Sequence, residues 1–151
     1  MVDRKYKDDL NIDERVLMAI VRAAELFKKS SSSIFNKYGL TFSQYNILRV
    51  LDASEGGQNS ISNIRRIMLF SGARITGLSQ RLEKNGFILR KSAPKDERKK
   101  ILEITSKGSL TLKNIFQDKE DLIKNSLISL SDEEKTQVLR TLKRILAAGR
   151  S

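Results

Sequence analysis

The sequence predicts a mainly α fold carrying one small β hairpin. Three observations lead there. Apolar residues recur with a helical 3.6-residue period through both ends of the chain. Two β-rich runs on either side of a polar turn interrupt that pattern once, between residues 87 and 104. Capping residues and glycines fall at the borders of the periodic stretches.

Over residues 10–38, Ile12, Val16, Ile20, Ala23, Phe27, Ile34 and Tyr38 mark one face, with Leu17, Val21 and Ala24 beside them, so the first element is a long amphipathic helix. The serines at 30–33 interrupt it, yet the period resumes in phase at Ile34 and Phe35, which favours a helix with a small-residue patch over a linker. Gly39 ends it. Thr41 with Gln44 has capping-box form, and Tyr45, Leu48, Val50 and Leu51 follow as a second helix ending near Ser54. Residues 55–59 read as a loop.

A short helix over 62–68 places Ile61, Ile64 and Met68 on one face, with Arg65 and Arg66 off it. After a turn at Leu69 and Phe70, Ser71 caps a helix whose buried stripe is Ile75, Leu78 and Leu82, ending at Asn85 and Gly86. This is helix-turn-helix spacing. The runs 87–92 and 99–104 form a hairpin over the polar tip 93–98, and a hairpin directly after a recognition-type helix is a wing. Beyond Thr105, Leu112, Ile115, Phe116, Leu122, Ile123, Leu127 and Ile128 mark a long helix. Ser131 with Glu134 then opens a final helix carrying Val138, Leu139, Leu142, Ile145 and Leu146. The predicted organisation is therefore a winged helix-turn-helix lobe over 39–105, flanked by N- and C-terminal helical segments at 1–38 and 106–151. The apolar stripe on the final helix is wider than one small lobe covers alone, which points to a second copy of the chain.

Composition narrows the function. The chain has 151 residues, 29 Lys+Arg against 18 Asp+Glu, a net charge of +11, and neither cysteine nor histidine. Zinc sites built on those residues, thiol redox chemistry and serine or cysteine nucleophiles paired with histidine all lose an obligatory group. No carboxylates group as a catalytic pair, so an enzyme is not expected, nor is a cofactor. The length suits one domain, and 39% apolar residues suffice for a core. Apolar runs are short and broken by charge, so neither a signal peptide nor a membrane span is expected and the reading is cytoplasmic. Acidic clusters at Asp8, Asp9, Asp13 and Glu14 and at Asp118, Glu120 and Asp121 read as solvated helix faces, because no calcium-loop spacing accompanies them.

Residues 61–100 hold eleven basic side chains against three acidic ones, +8 of the total +11. A polyanion footprint so concentrated on a helix-turn-helix and wing points to double-stranded DNA. On the recognition helix the candidates are Ser71, Arg74, Thr76, Gly77, Gln80, Arg81 and Lys84. Arginine can be bidentate to guanine and glutamine to adenine, whereas Thr76 reaches a phosphate or a thymine methyl. For Arg81 the alternative is an intramolecular carboxylate partner. Ser60, Ser62 and Asn63 can present hydroxyls, amide and backbone N–H to a phosphate, or simply cap their helix. Lys95, Asp96, Arg98 and Lys99 lie at the wing.

Gly39, Leu40 and Thr41 with Gln44 and Tyr45, the stretch 64–76, the run 81–86, then Asp96, Glu97 and Arg98 and the run 102–108 together resemble the MarR family of bacterial winged-helix transcription regulators. The resemblance covers nearly the whole chain. It departs at Arg65, where that family mostly has a small residue, and at Leu69, where the turn is often glycine or polar. The resemblance implies a homodimer in which the terminal helices interdigitate as dimerisation segments, through residues such as Ile12, Val16, Val138, Leu139, Leu142, Ile145 and Leu146. It implies a repressor on a pseudo-palindromic operator, with Arg98 similar to the family's minor-groove reader and Asp96 to the residue that braces an arginine; the alternative for these and for Lys95 is a solvated charged turn. It also implies a small aromatic or phenolic effector between the dimerisation helices and the lobe. Met18, Arg22, Phe27, Tyr38, Phe42, Tyr45 and Arg49 are the local candidates, though the residues themselves favour core or salt-bridge roles for each. The rival reading is an architectural protein that binds DNA without sequence preference; a membrane-surface or acidic-protein binder is not favoured by basic residues clustered on the wing.

Overall fold

The computed structural model describes residues 10–149. Asp8 and Asp9, half of the first acidic cluster, lie outside the described residues. Helix α1 (Ile12–Asn36) starts at Asn11, whose side chain accepts from the Glu14 N–H at 2.9 Å. The serine patch stays helical, and the hydroxyls of Ser30, Ser31 and Ser32 donate to carbonyls four residues back. Gly39 takes a φ of 74° in the turn that follows. Helix α2 (Phe42–Asp52) opens on the predicted capping box, with Thr41 and Gln44 satisfying each other's backbone N–H groups.

The first departure follows. Residues 55–59, expected as a loop, form a single 3₁₀ turn at Glu55–Gly57 and then strand β1 (Gln58–Ser60). Three polar residues carry no strand pattern of their own; their pairing partner lies some forty residues downstream. Helix α3 (Ile61–Met68) is capped by Ser60, and α4 (Gly72–Lys84) by Ser71. Between them Leu69 sits in the left-handed region at φ 57°, the conformation that turns the chain from one helix to the next.

The hairpin is formed by β2 (Ile88–Ala93) and β3 (Asp96–Ile104). Ala93 pairs with Asp96 across Pro94 and Lys95, but the regular ladder ends where Ser92 faces Lys100, and a register shift between the two pairings leaves Glu97, Arg98 and Lys99 in an irregular polar tip. The sheet is antiparallel in the order β1-β3-β2, with Asn59 opposite Leu102 and Leu102 opposite Arg90.

Helix α5 (Ser106–Ser126) is fastened to the root of the wing. Thr105 caps it and donates its hydroxyl to the Gly86 carbonyl at 2.6 Å, while Lys107 donates to the Asn85 carbonyl at 2.6 Å. Gly108 permits the contact: a Cβ there would sit 2.6 Å from the Phe87 carbonyl oxygen and 2.7 Å from Ile104 Cγ1. Helix α6 (Asp132–Gly149) begins at the Ser131 and Glu134 capping box.

The core joins Phe35 of α1 and Ile115 of α5 to Leu48, Ile64, Ile75, Leu82 and Leu102 of the lobe. Leu78, predicted for the buried stripe of α4, is half-buried against it; Ser79 takes the fully buried place, its hydroxyl donating to the Thr76 carbonyl. Aromatic rings bind α1 to α2: Phe35 stacks on Tyr45 at 4.2 Å, and Phe42 lies 5.8 Å from both Phe27 and Phe35.

Candidate nucleic-acid interface

Helix α4 buries Ile75, Ser79 and Leu82 and thereby turns its remaining faces outward. Ser71, Arg74, Gly77, Gln80, Arg81 and Lys84 are exposed. Ser71 is occupied as the N-cap, accepting from the Arg74 N–H, and the Thr76 hydroxyl donates to the Gly72 carbonyl at 3.0 Å. A side chain at Gly77 would meet nothing within 4 Å, so that position is open surface. Arg74 lies with its guanidinium 3.7 Å from the Phe70 ring centroid and donates to Ser43 Oγ at 3.0 Å. Phe70 lies only four residues before Arg74, whereas Ser43 carried no signal in the sequence, since that contact spans thirty-one residues. Among the described residues no carboxylate pairs with Arg81, so the intramolecular partner weighed for it is not found.

At the start of α3 the three predicted residues have local duties. Ser60 is buried and accepts from the Asn63 N–H at 3.1 Å, while Ser62 is exposed with its hydroxyl 3.3 Å from that of Ser60. The Asn63 amide is engaged on both sides, donating to Asn59 and accepting from Arg66. Arg66 was not among the candidates, although its i, i+3 spacing from Asn63 was legible. The Arg65 guanidinium rests over the first turn of α4, about where a side chain at Gly72 would touch it, at 3.5 Å.

Lys95, Asp96, Arg98 and Lys99 are exposed along the outer half of the hairpin. Asp96 braces Arg98 through the backbone, its Oδ1 accepting from the Arg98 N–H at 3.0 Å. Nearer the root, Lys91 is paired with Glu103, and Lys100 donates to Ser92. The wing tip therefore keeps its cations unpaired among the described residues, while the wing root spends one on a carboxylate. The geometry puts basic side chains of α3, α4 and the wing on one lobe, which is what a groove-reading helix and a flanking ribbon require.

The family model for the transcriptional regulators SarA and Rot matches residues 29–115. The chain belongs to the SarA/Rot family of transcriptional regulators. The match spans α1 from its serine patch, the whole winged lobe and the first half of α5, so this SarA/Rot-type regulator carries the family's shared segment over more than half its length. It is 28% identical over 135 residues to the HTH-type transcriptional regulator PapX of Escherichia coli, covering 89% of this chain and 82% of that protein. Its fold is that of AbsC, a MarR family transcriptional regulator from Streptomyces coelicolor, with a TM-score of 0.82 at 21% identity over 98% of this chain and 99% of that one. A mutant MarR from E. coli, solved in complex with operator DNA, superposes with a TM-score of 0.81 at 17% identity, covering 93% and 99% of the two chains. The MarR resemblance read from the sequence is borne out, and the SarA/Rot-family chain is a DNA-binding transcriptional regulator, not an enzyme. Among the described residues no helix is long and apolar enough to cross a membrane.

The candidate effector residues are dispersed. Phe27, Phe42 and Tyr45 belong to the aromatic ladder between α1 and α2. Tyr45 also takes a hydrogen bond from Lys119 of α5. Tyr38 donates to Asp118 Oδ2 at 2.6 Å, which, with burial and the carboxylate's charge, raises its pKa above the usual tyrosine value. Arg49 pairs with Asp52, and Met18 and Arg22 are exposed on the first half of α1. A cavity of about 460 Å³ does lie nearby, between α1 and the end of α5, but only Phe27 of the seven lines it, together with Ala23, Leu26, Ser30, Ile123, Ser126 and Leu127.

Proposed function

We propose that this regulator is a homodimer that represses transcription from a pseudo-palindromic operator and is released by a small apolar effector. Residues 39–105 act as the DNA-binding lobe, and 1–38 with 106–151 as dimerisation segments. The observation that carries the reading is α6: none of its eighteen residues is buried, although Val138, Leu139, Ile145 and Leu146 are apolar. Ile12 and Val16 of α1 are likewise exposed, at 67% and 45%. Two protomers that cover these faces mutually would carry two recognition helices into successive major grooves, with half-sites about 10 base pairs apart. Arg74, Gln80, Arg81 and Lys84 then face base edges or phosphates and Ser60 and Ser62 a phosphate, while Lys95, Arg98 and Lys99 follow the minor groove beside the wing. Repression follows from occupancy of a promoter-proximal operator. The apolar cavity beside Phe27 is the place for an aromatic effector, because a ligand there touches both a dimerisation helix and the aromatic ladder into the lobe.

The test is selection of bound fragments from random duplex DNA, followed by titration of the selected duplex and a scrambled one. Two-fold symmetric sites that bind at least about a thousandfold more tightly than the scrambled duplex support the reading. Equal affinity for both identifies a non-specific architectural protein instead.

A further inference from the structure

Arg66 stands on the exposed side of α3, and its guanidinium is not loose. Its Nη2 donates to Asn63 Oδ1. A guanidinium offers donors only, so Asn63 must present its oxygen to it and turn its NH₂ the other way, towards Asn59 Oδ1 at 3.1 Å. The Asn59 oxygen also accepts the Ser60 N–H at 2.9 Å, which leaves the Asn59 NH₂ to donate to Ser54 Oγ at 3.0 Å. Ser54 in turn gives its hydrogen to the Val50 carbonyl at 2.6 Å. Four bonds thus run in one direction from an exposed cation to the end of α2, crossing β1 on the way. Chains of this kind polarise each member in the same sense. Ser54, Asn59 and Asn63 are half-buried, whereas Arg66 is exposed.

The arrangement leaves the rest of the guanidinium free. Among the described residues no carboxylate pairs with Arg66 and no second acceptor takes its remaining N–H groups. Asn59, Ser60 and Asn63 also line one shallow concavity with Lys99 of the wing, where Glu55 is the acidic member. The anchor of Arg66 and a wing cation therefore share one side of the lobe. A mobile arginine loses rotamer entropy when it meets a phosphate, and one already held at one edge loses less.

We propose that Arg66 is a DNA-phosphate contact presented by α3, and that Asn63, Asn59 and Ser54 are positioning residues that hold its guanidinium in place. This moves the role expected of the Asn63 amide to its neighbour one helical turn on. It rests on the DNA-binding reading of the lobe and goes beyond it in naming a contact and the device that orients it.

The experiment uses the full chain and a short fluorescein-labelled duplex of random sequence, with anisotropy titrations over a series of salt concentrations. Arg66→Ala is expected to weaken binding about tenfold near 0.1 M salt and to lower the slope of log affinity against log salt by about one, because one phosphate contact is lost. Asn63→Ala keeps the charge, so it should retain the slope and weaken binding about three- to tenfold. In the Arg66→Ala background Asn63→Ala should have no further effect. Ser54→Ala, which cuts the root of the chain without touching Asn63 or Arg66, should act in the same direction as Asn63→Ala and more weakly; it also serves should Asn63→Ala unfold α3. Unchanged affinity and slope in Arg66→Ala overturn the contact, and an equal loss from Asn63→Ala in both backgrounds overturns the positioning role. Arg98→Ala separates the two levels of inference. If it weakens binding while Arg66→Ala does not, DNA binding stands and this proposal fails; if the parent binds only the selected operator, the same titrations are made on that duplex, and if it binds neither, both fail together.

Discussion

In the winged lobe Leu48, Ile64, Ile75 and Leu102 are fully buried, whereas α6 buries nothing and leaves Leu139 and Leu146 at 53% and 46% exposure. Both regions are built from amphipathic helices of the same apolar spacing. The difference lies in what each face meets within one chain. The lobe closes over its own core through a three-stranded sheet and three helices, with Phe35 and Ile115 reaching in from the flanking helices. Among the described residues α6 buries none of its stripe, and the proposed dimer would cover that face with a second copy. A helical period states that a face is to be covered without stating by which molecule.

The comparison is broken most forcefully by paired substitutions. Ile64→Ala, which empties a fully buried site, should cost about 2–5 kcal/mol of unfolding free energy in denaturant titration. Leu142→Glu with Ile145→Glu should cost several kcal/mol of association instead, seen as monomers in sedimentation, while the lobe keeps its circular dichroism. A double variant that remains a stable dimer would overturn the assignment of α6. At the seam between the regions, Gly108→Ala drives a methyl into the Phe87 carbonyl and Ile104 and should lower stability by about 1–3 kcal/mol, measured by thermal melting.

Two smaller effects sharpen the contrast. Leu69 pays for its left-handed backbone with no buried contact in return, being 60% exposed, so Leu69→Gly should raise the stability of the lobe by about 0.5–1 kcal/mol. A fall in melting temperature would show that the leucine side chain contributes more than the strain removes. The bond from Tyr38 to Asp118 should leave a signature at high pH. Because the folded state raises the Tyr38 pKa, its contribution is fully present below the usual tyrosine value of about 10 and is lost as pH rises through the higher folded value. Denaturant titrations above about pH 10 should therefore show the parent converging on Tyr38→Phe, whose own stability lacks that step.

Elements that announce themselves locally were legible in the sequence. The caps at Thr41, Ser71 and Ser131 and the stop at Gly39 depend on residues a few positions apart, and the hairpin after Gly86 on two neighbouring β-rich runs. The concentration of charge on residues 61–100 was equally legible, since charge adds along the chain whatever the fold. Strand β1 was not, because Gln58, Asn59 and Ser60 become a strand only by pairing with Glu103, Leu102 and Ile101. The same holds for the bond from Arg74 to Ser43, thirty-one residues away. Of the residues expected around an effector only Phe27 lines the apolar cavity, where it meets Ile123 and Leu127, roughly a hundred residues away in sequence. Tertiary structure decided these because hydrogen-bond partners and cavity walls are set by which surfaces meet, and local periodicity carries no information about the surface on the other side.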